Sequence, residues 1–549
     1  MCLWSRSPVA VASFGITVAE PRAGSQQASR WYSRRVPGIN PQPHVSHRIA
    51  PRLGSDEEFA AVRAMLVECG FTPEAICDRL GIAALETYEP NRFRDAGLGI
   101  AEQAVDVLIL LLMDGEFVPA EIVERLLPAD AVRKLEALGL IASDPECPDM
   151  WFGGCILFPA RGMWLASDRI AVPDRDALPA SGDLVFPAAI ENTVAFLATL
   201  PETPCTALLD LGTGSGIAAL DGAKYASHTW GTDIAARSVH FAEFNRRLNG
   251  IQNATMLQGD LYAPVEGLTF DRIVAHPPYV PARQNAMIFR DGGEDGEQIL
   301  RGIVEGLPRF LRPGGRFYGF VVAADCEGQW FEERLRLWLG GAETEFDLVL
   351  AAHTLTEPRD LTANSFLGQN TALEDIRYRH EIWRRRKVEF LFNGSVLIRR
   401  HNSARPAITA RVLTGEGFTP RHVEWLLEWS TEVHDAERLE RLMEVRPLLS
   451  PHAEMVVTHR VRDCQLAPEV FSVRSNRPFE ADCTLEPWLV QIVAQCDGKT
   501  TWREHFERAK SAGAIPGAAP AGEFLAILEP LVSNGLLWIA EKSLPGLSG

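Results

Sequence analysis

One stretch constrains the fold of this 549-residue chain more than any other: CTALLDLGTGSGIAAL, residues 205–220. Residues 206–211 form an aliphatic, β-branched run that predicts a buried strand. Gly212, Gly214 and Gly216 follow at once, and Ile217 opens a helical pattern. Lacking Cβ atoms, these glycines let the backbone take positive φ and approach a ligand closely. A strand, a glycine turn and a helix in that order predict a parallel, doubly wound sheet with a nucleotide-like ligand at the strand's carboxyl end. By itself G-x-G-x-G would serve a dinucleotide equally well.

The next strands narrow the choice. HTWGTDI ends a second strand in Asp233, 23 residues after Asp210. A carboxylate there can accept hydrogen bonds from both ribose hydroxyls. ATMLQGDLY predicts a third strand leading into Asp260, placed to accept from an exocyclic amine. FDRIVAHPPYVP predicts a fourth, ending in His276-Pro277-Pro278-Tyr279. Strands alternating with helices continue from about residue 183 to 400, the signature of a parallel α/β sheet.

These elements resemble the class I S-adenosylmethionine-dependent methyltransferases. The likeness is greatest to the "small" group with an N-P-P-Y motif, which includes release-factor glutamine N5-methyltransferases and rRNA guanine N2-methyltransferases. RDGGEDGEQILRGIVEGLPRFLRPGGRF is similar to the helix and strand that follow the motif in that group, and VEFLFNGSVLIRR reads as a terminal hairpin turned at Asn393-Gly394. The resemblance covers residues 183–400, some 40% of the chain. It implies an α/β, Rossmann-like seven-stranded core binding S-adenosylmethionine. Asp210 would anchor the glycine loop, and Gly212, Thr213, Gly214 and Gly216 would cradle the amino-acid end. Asp233 with Ile234 would hold the ribose, and Asp260 with Leu261 would address adenine. Phe186 and Glu191 are further candidates for closing the methionine end. His276, Pro277, Pro278 and Tyr279 are the expected catalytic edge.

His276 departs from the family pattern. In N-P-P-Y enzymes the Asn carbonyl accepts from the target N–H and aims its nitrogen, while the Tyr stacks on the planar group. A neutral His offers one acceptor and one donor nitrogen, so it can orient an N–H or serve as base to a hydroxyl.

Composition bounds the rest. Seven arginines against one glutamate give residues 1–54 a charge of +6, which leaves −24 on residues 55–549. That first segment shows no helical or strand period and reads as a disordered basic tail, with organelle targeting as the sharper alternative. Residues 55–145 read as a helical, winged-helix-like module with helices over 58–69, 72–80 and 102–113 and a short strand at 139–142. Residues 146–182 read as a β-rich connector, 183–400 as the methyltransferase domain, and 401–549 as a C-terminal α+β module with a winged-helix-like end. No run reaches the ~20 apolar residues of a membrane span. The ten scattered cysteines suit reduced thiols in the cytoplasm. No metal is expected, since His452, His459 and Cys464 lack the tight pairs of a zinc site.

The expected function is therefore methyl transfer to an amide or amino nitrogen of a protein side chain. The alternatives are an rRNA base, a small-molecule N- or O-acceptor, or a non-catalytic S-adenosylmethionine-binding regulator. The acidic body weighs against RNA as a partner. The basic run RYRHEIWRRRK, residues 377–387, weighs for it unless it is a solvated helix face.

Overall fold

The computed structural model describes residues 49–539 apart from 89–91, 145–146, 171–180, 188–190, 285, 361–372, 402–404 and 434–438. Residues 1–48 of the expected tail lie outside the described residues. Its last residues are packed rather than disordered: the amide of Arg52 donates to Leu138 O (2.8 Å), and His240 Nε2 lies 2.6 Å from Pro51 O.

The centre of the molecule is an eleven-stranded sheet. Its strands are β1 (Cys205–Leu211), β2 (Ala226–Asp233), β3 (Ala254–Gln258), β4 (Phe270–Ala275), β5 (Leu311–Cys326), β6 (Phe346–Thr356) and β7 (Val388–Arg400), continued by β8 (Thr409–Thr414), β9 (Glu454–Arg462), β10 (Gln465–Ser475) and β11 (Phe479–Leu485). Their spatial order is β3-β2-β1-β4-β5-β7-β6-β8-β11-β10-β9. β1 to β5 pair in parallel and β7 runs antiparallel between β5 and β6. The first seven strands are the Rossmann-like core that the glycine motif implies.

Helices cover both faces: α1 (Glu191–Ala198), α2 (Ile217–Gly222), α3 (Ala236–Leu248), α4 (Gln298–Phe310), α5 (Phe331–Leu339), α6 (Leu373–Arg386) and α7 (Pro420–Val433). Leu300, Ile303, Val304 and Leu307 of α4 and Phe331 and Leu335 of α5 pack on one face with Phe317, Val321 and Phe392. Phe196 of α1 and Leu426 and Trp429 of α7 pack on the other with Tyr318, Phe320 and Leu397.

Two expectations are corrected here. Asn393-Gly394 is not a turn, because β7 runs straight through it and pairs with β5 on one side and β6 on the other. Glycine is required there by crowding: a Cβ at Gly394 would sit 2.2 Å from Ala351 O. The sheet also crosses the expected boundary at residue 400, because β8 pairs in parallel with β6 and β11 continues from β8.

The N-terminal unit packs on α3. Its helices Asp56–Glu68, Pro73–Leu80, Ala120–Leu126 and Ala131–Ala137 accompany three short strands, Val118–Pro119, Ile141–Asp144 and Cys147–Gly153, ordered first-third-second. Ser55 and Glu58 cap the first helix reciprocally, which fixes where it starts. The expected helix over 102–113 is shorter and widens: Ala104–Leu108 is α-helical and Ile109–Asp114 takes π-type turns. The guanidinium of buried Arg169 satisfies carbonyls of that last turn, donating to Met113 O (2.9 Å) and Leu111 O (3.2 Å). A hairpin, Ile156–Ala160 with Met163–Ser167, follows. Among the described residues no helix is long and apolar enough to cross a membrane.

Candidate active site

The carboxyl ends of β1, β2, β3 and β4 finish level. Leu211 pairs with Thr232 of β2 and with Ala275 of β4, and Asp233 pairs with Gln258 of β3. That register sets Gly212, His276, Asp233 and the 259–261 segment along one edge of the sheet, at the switch point where such folds bind ligands.

The glycine loop is held from below and from the side. Gly212 and Thr213 both donate backbone N–H groups to Thr232 O, at 2.8 and 2.9 Å. Asp210 Oδ2 accepts from Thr213 Oγ1 (2.6 Å) and from the amide of Ala219 in α2 (3.2 Å), so it ties the loop to the helix that follows. Burial pushes the Asp210 carboxyl up to about 7, opposed by those two hydrogen bonds. Gly212 and Gly214 have φ of +73° and +56°, and a Cβ on either would project into open space rather than into protein. Gly216, at +85°, instead lies close against Ala242 of α3.

Asp233 is buried and reaches the same loop. Its Oδ2 accepts from the amide of Gly214 and its Oδ1 from the amide of Ala235, both at 2.9 Å. Burial raises its carboxyl against those bonds. Each oxygen retains acceptor capacity beyond one amide. Ile234 beside it is 53% exposed, an apolar surface at the rim. Asp260 is exposed, and Leu261 takes φ of +44° while its carbonyl accepts from Thr232 Oγ1 (3.0 Å).

His276, Pro277, Pro278 and Tyr279 leave the end of β4. The His276 ring lies among aromatic neighbours: Phe196 at 5.5 Å, Phe320 edge-on at 5.4 Å, and Tyr279 nearly parallel at 6.4 Å. Burial pulls the imidazole down to about 4, so it is neutral at physiological pH. The Tyr279 hydroxyl accepts from Asn192 Nδ2 of α1 (3.2 Å). Residues 286–293 fold back on the motif, with Val280 N donating to Arg290 O (3.0 Å) and Gly292 N to Val280 O (2.9 Å). Phe186 stacks on Phe289 of that segment at 5.4 Å. The side chain of Glu191 lies outside the described residues.

Sequence reading missed Asn245. This buried residue of α3 donates to Ser215 O in the glycine loop (2.8 Å) and to Ala166 O (3.0 Å), and accepts from Ala166 N (2.7 Å). It thereby joins the hairpin before the core to the loop itself. A polar residue recurring on the apolar side of a helix was the available signal. Among the described residues, three of the six cations of the basic run are ion-paired: Arg385 meets Glu294, Arg386 meets Glu297 (3.0 Å) and Lys387 meets Glu327 (2.7 Å). Val194 and Leu197 of α1 and Ile217 of α2 also line a cavity of about 590 Å³ shared with Ile82, Leu85 and Phe158. Among the described residues no three His, Cys, Asp or Glu side chains converge as a metal site.

Comparison with known proteins agrees with this geometry. Residues 190–330 match the methyltransferase small domain family. The release factor glutamine methyltransferase of Moorella thermoacetica is 38% identical over 127 residues, 20% of this chain and 45% of that protein. The enzyme of the same name from Xylella fastidiosa is 30% identical over 172 residues, 29% and 59% of the two chains. The ribosomal protein uL3 glutamine methyltransferase of Bradyrhizobium diazoefficiens is 30% identical over 152 residues, 25% and 48%. The chain thus spans about half the length of the relatives it matches.

The donor set suits S-adenosylmethionine: acceptor carboxylates at the ends of β2 and β3, an exposed apolar side chain between them, and a glycine cradle that a Cβ would fill. With the level strand ends, the His-Pro-Pro-Tyr edge and the family match together, residues 190–330 are a class I S-adenosylmethionine-dependent methyltransferase small domain set within a longer chain.

Proposed function

We propose that this chain transfers a methyl group from S-adenosylmethionine to an amide or amino nitrogen of a protein side chain, at the edge formed by His276, Pro277, Pro278 and Tyr279. The observation that carries this reading is the register of Leu211 with Ala275, which sets the start of the glycine loop beside His276. When bound, S-adenosylmethionine supplies an electrophilic methyl on its sulfonium, so the chain's task is to bring the acceptor nitrogen close and aligned. Gly212, Thr213, Gly214 and Gly216 hold the amino-acid end, Asp233 with Ile234 the ribose, and Asp260 with Leu261 the adenine.

Tyr279, steadied by Asn192, offers its face to a planar acceptor group. Neutral His276 accepts the acceptor's N–H through a ring nitrogen, in place of an Asn carbonyl. Its basicity, lowered by burial, suits an N–H that needs orienting better than a hydroxyl that needs deprotonating. The relatives' names, all glutamine methyltransferases acting on proteins, support a protein acceptor. RNA is disfavoured by the acidic body, and half of the basic run's cations already pair with Glu294, Glu297 and Glu327.

Residues 55–145 and the helical end of the chain after β11 we read as winged-helix-like units that present the acceptor rather than grip nucleic acid. Lys134, in the helix that would face DNA, is paired with Asp130 at 2.9 Å.

The test is S-adenosylmethionine labelled in its methyl group, incubated with the full chain and a cell extract that is then split by protease and by RNase. Label released by protease alone supports the proposal. Label released by RNase, label that survives both enzymes, or no label despite cofactor binding would each replace it, with an RNA, small-molecule or regulatory reading respectively.

A further inference from the structure

Strand β9 ends the sheet order, and among the described residues no strand lies beyond it. An edge strand presents a row of unpaired N–H and C=O groups, and proteins ordinarily blunt such edges with charges, bulges, proline, short length or a covering element; β9 carries charges of both signs, Glu454, Arg460 and Arg462, beside one bulge. β9 is nine residues long, contains no proline, and is exposed over most of its length. Its apolar side chains stand in solvent: Val457 is 40% and Val461 68% exposed, beside Leu466 at 70% on β10.

Successive residues of a strand face opposite sides. The extra residue of the local bulge falls on β10, since Thr458 pairs with Val470 and His459 with Pro468, so β9 keeps its alternation. Met455, Val457, His459 and Val461 share one face. Glu454, Val456, Thr458, Arg460 and Arg462 share the other.

Read in reverse, Glu-Met-Val-Val-Thr-His-Arg-Val-Arg complements itself. We propose that a second copy of this chain pairs with β9, antiparallel and centred on Thr458, joining two sheets edge to edge. In that register Glu454 faces the partner's Arg462 at both ends, Met455 faces the partner's Val461, and Val456 faces the aliphatic stem of the partner's Arg460. Directly opposed side chains share a face in antiparallel pairing, so the apolar residues align on one side and the charges on the other. The terminal charges are available, with Glu454 66% and Arg462 65% exposed. Each already has one partner in its own chain, Arg474 at 2.8 Å and Glu469 at 3.3 Å, and Arg460 shares Glu469 at 2.7 Å, so each end becomes a five-charge cluster of both signs. Any slip in register shortens the ladder, and a slip toward Arg462 takes Glu454 out of it. An interface of one nine-residue ladder lies at the small end of specific contacts, which sets the dimer's dissociation constant on the order of micromolar.

Sedimentation of the full chain from about 1 to about 100 μM tests the association, with dimer expected to grow across that range. Cysteine trapping tests the register. In a Cys464→Ser background, Thr458→Cys brings two thiols opposite each other and links readily under mild oxidation. Glu454→Cys places them about 26 Å apart, at ~3.3 Å per residue, and does not link. The Cys464→Ser chain is the blank. Arg462→Glu weakens the dimer about tenfold. A chain that stays monomeric throughout, linkage at 454 as fast as at 458, or an Arg462→Glu chain that dimerises as tightly as the parent would each overturn the proposal. All these positions are exposed, so an unchanged melting temperature separates lost pairing from lost folding.

Discussion

The amide of Gly214 donates to the carboxylate of Asp233 across 2.9 Å, so the residue expected to bind ribose also sets the shape of the loop expected to hold the cofactor's amino-acid end. Hydrogen bonds to a charged acceptor contribute about 1.5–3 kcal/mol, and removing the acceptor leaves the amide unpaired. Asp233→Ala should therefore weaken S-adenosylmethionine by about ten- to a hundredfold or more, measured by calorimetry, with Asp233→Asn intermediate. Affinity unchanged in Asp233→Ala would remove the residue from the site.

Under the proposed function, Asp210 should make cofactor binding depend on pH. Its carboxyl is raised to about 7, mainly by burial, so it is largely protonated at pH 6 and ionised at pH 8. A cationic ligand favours the ionised form. Affinity should rise from pH 6 to 8 and flatten above, with a proton released on binding near pH 7. Asp210→Asn should abolish the dependence. A flat wild-type profile would contradict this.

Gly394 lies where no side chain fits, 2.2 Å from Ala351 O once a Cβ is added. Gly394→Ala should lower stability by roughly 3 kcal/mol, read from denaturant unfolding, by forcing β7 away from β6. A change under about 0.5 kcal/mol would mean that the strands are not so closely paired.

Glu297 accepts from Arg334 Nε (3.0 Å), Arg386 Nη2 (3.0 Å) and the amide of Ala324 (2.9 Å), all in the interior. Removing a buried partner strands the others, so Glu297→Ala should cost about 3–5 kcal/mol. Arg385→Ala, at an exposed pair with Glu294, should leave the melting temperature and RNA affinity unchanged. A drop in RNA binding for Arg385→Ala would reinstate the basic run as a nucleic-acid contact.

What could be read beforehand was what local sequence controls. The glycine loop, Asp210, Asp233 and the His276 edge follow from a strand run, a turn and a strand-end acid within short windows, and the register of β1 with β4 brings them together. The remainder depends on contacts distant in sequence. Asn393-Gly394 carries the strongest short hairpin signal, yet the glycine serves a close approach to β6. The carbonyls that end 109–114 are satisfied by Arg169, more than fifty residues away. Asn245 looks like an ordinary helix residue until α3 meets both Ser215 and Ala166. The extension of the sheet by β8 to β11 could not be inferred from a pattern that stops alternating near residue 400.

The most direct measurement follows labelled methyl transfer and S-adenosylmethionine binding in the same samples of wild type, His276→Ala and His276→Asn. Under the proposed function the neutral imidazole acts on the acceptor and not on the cofactor. His276→Ala should therefore lose at least about a hundredfold in transfer while its cofactor affinity stays within about twofold, and His276→Asn should recover much of the loss. Transfer by His276→Ala at the wild-type rate, or loss of cofactor binding in parallel with transfer, would contradict the placement of methyl transfer at this edge.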